Sequence, residues 1–227
     1  MNTNQRTARI AGFLYLMVAV TAFFTDIYVR KGLIVPGDAS MTAHNIMASQ
    51  CLFRLGFVSD LVMTICWLLL AFTLYVLFRS VNKNCALLMV SFVLVGSAVT
   101  CINSLNQFAA LLVLNGADYL NVLGTAQLQA LAMLFLDLNK HGIFIADIFF
   151  GLWLFPLAYL VIKSGFIPRI LGILLIVAGW GYVIDFFIFY LFPHLDVTIN
   201  QYTFWGELFL LLWLLIKGVS DHKGLVT

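Results

Sequence analysis

Five carboxylates stand inside stretches that otherwise read as lipid-soluble helix: Asp26, Asp60, Asp147, Asp185 and Glu207. A charge in hydrocarbon is costly, so such residues normally face a protein interior or a watery cavity and mark a functional site by default. Acids of this kind suit cations or protons. Other polar groups accompany them. Gly96, Thr100, Asn103 and Gln107 recur at i, i+4, i+7 and i+11, which puts them on one helical face. Ala178, Tyr182 and Asp185 make a shorter stripe that turns apolar again at Phe189. His141 follows Asp137 by four residues, a spacing that lets the acid orient the ring on a continuous helix. Arg54 has the chemistry to pair with a buried acid or to clamp an anionic group at two points. Each also has a plainer reading: neutral amides hold helices together, arginine snorkels to headgroups, and a lone histidine such as His44 or His194 sits at an interface.

The same acids can be read as metal ligands. Asp60, His141, Asp185 and Glu207 offer the oxygen and nitrogen donors that zinc accepts, which would suit a hydrolase acting on lipid. The paired spacing of His-Glu-x-x-His is absent from the chain. Cys51, Cys66, Cys85 and Cys101 are scattered singly, without the close pairs of a zinc or redox motif, and read as free thiols. The identity of any cofactor stays unassigned.

The elements that must position these residues are membrane helices. The chain is 63% hydrophobic and 10% charged, with mean hydropathy +1.04. A soluble domain carries roughly 25% charged residues, so the lipid bilayer is the expected partner. The net charge of +2 is too small to imply nucleic-acid binding. The apolar run from Ile10 to Tyr28 is too long for a signal peptide and reads as a retained first helix. A bilayer core needs about 20 apolar residues per helix, and six segments qualify: 9–29, 54–78, 85–108, 141–162, 169–192 and 202–217. The expected fold is therefore all-α, a polytopic bundle of about six spans forming one transmembrane domain over 1–227. The third span can continue to Leu114. Pro168 suits the first turn of the fifth helix, and Gly165 the end of the fourth.

Basic residues orient the spans. Arg6, Arg9, Arg79, Lys83, Lys163, Arg169, Lys217 and Lys223 fall on one side, against Arg30, Lys31, Arg54 and Lys140 on the other. The positive-inside rule then puts both termini in the cytoplasm, with the bacterial inner membrane as the location. His44, His141 and His194 lie outside and His222 inside. In the first outer loop Pro36-Gly37-Asp38 reads as a turn, with Asp38 or Ser40 capping a short helix through Met47. In the second, Thr125 to Leu136 is helix-forming, and either lies on the membrane surface or extends the fourth helix outward. At 1.5 Å per residue, Asp60, Asp147, Asp185 and Glu207 come out roughly 8–9 Å below the outer edge of the apolar core, with Asp26 shallower. The small residues Gly172, Gly179 and Gly181 allow close helix approach within the chain or in a homo-oligomer. A weak echo links Arg9–Leu14 with Arg169–Leu174, each followed by an aspartate, as in the internal repeats of transporters.

Short stretches along nearly the whole chain carry a resemblance. They include Ala11-Gly12-Phe13-Leu14-Tyr15, Ile34-Val35-Pro36-Gly37-Asp38, Phe53-Arg54-Leu55-Gly56, Ser59-Asp60-Leu61, Phe150-Gly151-Leu152, Pro168-Arg169-Ile170-Leu171-Gly172, Gly181-Tyr182, Gly206-Glu207 and Trp213-Leu214-Leu215. With these the chain resembles the bacterial membrane-protein family catalogued as domain of unknown function 4386. The resemblance implies a multi-span membrane fold and brings no activity with it. Three functions stay open: a protein that binds or transports a small molecule or ion, a membrane-embedded metal-dependent hydrolase, and a structural or regulatory membrane protein. The candidate ligand-binding residues are Arg54, Asp60, Asn103, Gln107, His141, Asp147, Tyr182, Asp185 and Glu207.

Overall fold

Apolar sequence with few breakers gives helices throughout. The computed structural model describes residues 3–116, 118–120, 122–192, 194–195 and 197–219, and helices are the only regular elements among them. His222 and Lys223 lie outside the described residues. The helices are α1 (Thr3–Leu33), α2 (Ala39–Ala48), α3 (Gln50–Phe78), α4 (Lys83–Leu114), α5 (Thr125–Leu152), α6 (Leu154–Ser164), α7 (Arg169–Leu191), α8 (Asn200–Thr203) and α9 (Trp205–Ile216). Five helical stretches are long and apolar enough to cross a membrane, α5 and α6 counting together as Thr125–Ser164. With large apolar side chains such as Phe13, Phe23, Ile65, Leu69, Ile102 and Ile173 turned outward, the chain is a multi-pass membrane protein. The sixth expected span is α8 with α9, residues 200–216. Its length is about 25 Å, a little under the bilayer core of about 30 Å.

Local signals decide the ends. Asp38 accepts the Met41 N–H at 2.8 Å and caps α2, after a turn in which Gly37 takes φ +79°. Gly165 ends α6 in the left-handed region at φ +70°, as its position before Pro168 suggests. Pro168 stands one residue ahead of α7 rather than in its first turn. Several ends differ from the hydropathy reading. α3 starts at Gln50 instead of 54, whereas α4 runs to Leu114, the longer end open to the third span in the sequence. α5 begins at Thr125 rather than 141, so the second outer segment extends the fourth span outward as one helix. Helix-forming Leu, Ala and Met continue the ladder there past the edge of the apolar run.

Two irregularities lie inside spans. α1 widens into a π-helical turn over Thr25–Arg30, where the Lys31 N–H bonds the Asp26 carbonyl five residues back. The fourth span loses one hydrogen bond where α5 passes into α6, although Trp153 keeps helical backbone and its bonds to Phe149 and Leu157. Pro156 is the cause, because it has no N–H to offer the Leu152 carbonyl four residues earlier and its ring crowds that turn.

Close contacts divide the chain into two compact units. One comprises Met1–Met17, Cys66–Ser97 and Phe144–Thr227; its fully buried side chains include Phe78, Met89, Trp153, Leu157, Leu175 and Leu210. The other comprises Val18–Ile65 and Ala98–Ile143, around Val29, Leu33, Ile46, Phe53, Leu111 and Leu136.

Candidate functional site

Each of the five acids has partners, and the partners differ in kind. In the unit of Val18–Ile65 and Ala98–Ile143, Asp26 pairs with Lys31 at 2.7 Å, with side chains 47% and 68% exposed, which is an interfacial ion pair. Asp60 is different. Its side chain is 5% exposed, and its Oδ2 takes a 2.8 Å bond from Arg30, at the end of the π turn. The Thr25 hydroxyl lies against the same carboxylate, while Oδ1 has no hydrogen-bond partner. The guanidinium expected from Arg54 is thus supplied by Arg30. Arg54 itself lies on the exposed face of α3, where its long stem is free to snorkel.

Asn103, in the amide stripe of α4, is spent on helix packing. Asn103 donates to the Asn139 carbonyl at 2.8 Å and Asn139 donates to the Asn103 carbonyl at 3.1 Å, a reciprocal tie between α4 and α5. Asn106 donates to Asn103 Oδ1 at 3.1 Å. Gly142 makes room for this, since a Cβ there would collide with the Asn103 amide. Gln107 is buried on the same helix, and Asp137 and His141 lie exposed on continuous α5. A cavity of about 290 Å³ opens between α2, the end of α4 and the start of α5, lined among others by Ser40, His44, Met47 and Gln129.

The other unit gathers the remaining acids around the N-terminal end of α8 and α9. Asp185 on α7 accepts the backbone N–H groups of Ile199 at 2.6 Å and Asn200 at 2.8 Å. Helix N-termini leave such groups unpaired and carry partial positive charge, so a carboxylate there is a cap. Asp185 therefore serves to anchor α8 against α7. Gly181 lets the two approach, because a Cβ on it would strike the Thr203 hydroxyl.

Glu207, 8% exposed, is held by hydroxyls from two other helices. The Tyr15 hydroxyl donates to its Oε2 at 2.5 Å, from 192 residues away in the chain. Tyr182 on α7 bonds the same carboxylate, and the Asn200 side chain bonds the Tyr182 hydroxyl. Asp147 acts electrostatically on that tyrosine as well. The side chains that act on the Glu207 carboxylate are those of Tyr15 and Tyr182. Two glycines bring these groups together. A Cβ on Gly12, one turn before Tyr15, would come 2.5 Å from the Leu215 nitrogen, so α1 lies directly on α9. A Cβ on Gly206 would come 2.5 Å from the Leu174 carbonyl, so α9 lies as closely on α7. The walls are aromatic. The Tyr15 ring is 5.6 Å from Trp67 and 6.2 Å from Trp153, and Trp67 stacks on Phe150 at 5.1 Å. Buried atoms of this unit without a hydrogen-bond partner include Trp153 Nε1 and Asn200 Oδ1.

A family model matches residues 10–218. The chain belongs to the family described as Domain of unknown function (DUF4386). An uncharacterized protein of Archaeoglobus fulgidus is 35% identical to this DUF4386 protein over 150 residues, 65% of this chain and 74% of the relative. No solved structure matches it. Both ends of the Tyr15–Glu207 bond lie within the matched residues 10–218. Tyr182, Asp185 and Glu207 were legible as candidates from their stripe and their setting. Tyr15, Arg30, Asn200 and Trp153 were missed. A tyrosine in an apolar helix reads as packing, and the partner that gives it meaning is far away in sequence. Among the described residues no three His, Cys, Asp or Glu side chains come together as a metal centre would need.

Proposed function

We propose that this DUF4386 protein binds a cationic small molecule or ion and carries it across the membrane, with Glu207 as the receiving group. The observation that supports this is a buried carboxylate held by two tyrosine hydroxyls, with no cationic side chain acting on it among the described residues. Hydroxyls orient a carboxylate without neutralising it, so a cationic ligand would find an aligned and uncompensated partner. Tyr182 and Asn200 would link that partner to α7 and α8, and Asp147 would add negative potential. The excess of basic residues on one side supports cytoplasmic termini and an inner-membrane location. The reciprocal Asn103–Asn139 tie and the Asp185 cap favour a structural role for much of the remaining polar layer. The test is purified protein in liposomes, assayed for proton, alkali-cation and amine uptake under a gradient. Uptake of one of these that Glu207→Gln abolishes, with folding intact, is the expected result. Uptake unchanged by Glu207→Gln, or no uptake and no binding of any cation, would overturn the reading.

A further inference from the structure

The unit of Val18–Ile65 and Ala98–Ile143, which does not contain Glu207, has a cavity with a chemistry of its own. Ser40, Ala43, His44 and Met47 recur along α2 at i, i+3, i+4 and i+7, so one helical face forms its first wall. The opposite face fixes how that helix is turned. Thr42 accepts the Val35 N–H at 2.9 Å and donates to the Val35 carbonyl at 3.2 Å. Asn45 donates to the Leu33 carbonyl at 3.3 Å, and Ile46 is fully buried in the core. With those three residues held, His44 and Met47 face the gap towards the start of α5. Residues three apart on a helix have Cβ atoms about 5–6 Å apart, and here both side chains border one space of about 290 Å³. Gln50, in the first turn of α3, donates to Met47 Sδ at 3.3 Å and to Asn115 at 3.1 Å. That bond steadies the thioether and occupies one of the two lone pairs on its sulfur. The other is left for a ligand.

Donor type decides what that ligand is. Imidazole nitrogen and thioether sulfur are both neutral, and the sulfur is soft. Soft thioethers select copper(I), whereas carboxylate and carbonyl oxygens suit magnesium, calcium and manganese. Zinc takes four ligands from Cys, His, Asp or Glu in its structural sites and three in its catalytic ones. No such group of three forms among the described residues, and no carboxylate or thiol lines this cavity. Its other polar groups, Ser40, Thr125 and Gln129, are neutral. Walls without charge also penalise a dication more than a monocation, because desolvation costs rise with the square of the charge. A monovalent ion with a filled d shell is satisfied by two donors in line, one from each side chain. His44 is exposed and Met47 is 41% exposed, so both can be reached from water.

We propose that His44 and Met47 form a site for a soft monovalent metal ion, copper(I), on the wall of this cavity. The site is independent of the cation reading of Glu207. Silver(I) is a redox-stable probe of the same class. The free thiols would compete for it, so the full chain carries Cys51→Ala, Cys66→Ala, Cys85→Ala and Cys101→Ala. Silver nitrate and zinc nitrate are titrated in chloride-free detergent by calorimetry, and the methionine methyl signals are followed by NMR. One silver ion should bind per chain, and His44→Ala and Met47→Leu should each weaken it about tenfold or more. Met41→Leu, on the same helix but outside the cavity, should leave the affinity unchanged. Zinc should bind at least about tenfold more weakly than silver. The methyl signal that Met47→Leu removes should be the one that shifts on binding. Should the cysteine-free chain not fold, that shift decides alone, measured in the native chain with its accessible thiols blocked by a maleimide. No silver binding, an affinity unmoved by either substitution, an equal loss in Met41→Leu, or zinc bound as tightly would overturn the inference.

Discussion

Glu207 and Asp60 are both buried acids, yet different chemistry holds them, and substitution should separate them. Asp60 is neutralised by Arg30 at 2.8 Å, and breaking a buried ion pair costs about 3–5 kcal/mol because a charge is left uncompensated. The Arg30 side chain is 30% exposed, so water can take over part of its solvation. Asp60→Asn should therefore lower stability by about 1–3 kcal/mol in detergent unfolding, below the fully buried range. Lys31→Ala breaks the exposed pair with Asp26 and should cost less than about 1 kcal/mol in the same assay. Glu207→Gln keeps the shape and the tyrosine partners and should leave the melting temperature near that of the wild type. Tyr15→Phe should cost about 1 kcal/mol through one lost hydrogen bond. The acids themselves were legible in the sequence because charge is conspicuous in apolar runs. What each acid does was not, because it depends on whether the partner is a guanidinium on a π turn, a helix N-terminus or a hydroxyl on another span.

Elements show the same divide between local and distant causes. The turn at Gly37 and the stop at Gly165 follow from one or two residues and were read from them, and of the two caps open in the sequence, Asp38 and Ser40, the structure uses Asp38. The missing hydrogen bond at the Leu152 carbonyl has a local cause too, Pro156, but its position inside an unbroken apolar run concealed it. The π turn has no such marker, since Thr25–Arg30 contains neither proline nor glycine. The stripe on α4 was visible as periodicity, yet periodicity does not say whether amides face a ligand or a neighbouring helix. The Asn103–Asn139 exchange answers for packing, and Gly142 makes that answer testable. Gly142→Ala should destabilise the chain, because its Cβ meets the Asn103 amide. Asn103→Ala should destabilise it by removing the tie. Together they should cost less than the sum, with a coupling of about 1–3 kcal/mol in a double-mutant cycle of unfolding free energies. Additive effects would show that the glycine and the amide act independently.

At the scale of the whole molecule, the number of crossings decides which side each loop faces. Five helical stretches are long enough to cross, and the sixth, residues 200–216, is about 25 Å long. A helix a few ångström short of the hydrocarbon core can still cross, at a modest cost met by local thinning of the bilayer. Its neighbours make that crossing favourable. α9 lies backbone to backbone on α1 at Gly12 and on α7 at Gly206, and its N-terminal end is anchored by Asp185. Gln5, near the start of α1, donates to the Lys217 carbonyl at 2.9 Å and accepts from the Val219 N–H at 3.0 Å. The start of α1 and the end of α9 are therefore at the same level, which an even number of crossings requires and an odd number forbids for helices packed along their length. Labelling can decide this in a chain lacking Cys66, Cys85 and Cys101. Native Cys51, exposed near the start of α3, should react in intact cells with a maleimide that does not cross membranes. Ser80→Cys and Lys217→Cys, each in a chain that also lacks Cys51, should react only after permeabilisation. If Lys217→Cys reacted in intact cells while Ser80→Cys did not, α9 would not cross, and Glu207 would have to be reached from the surface rather than from within the bilayer.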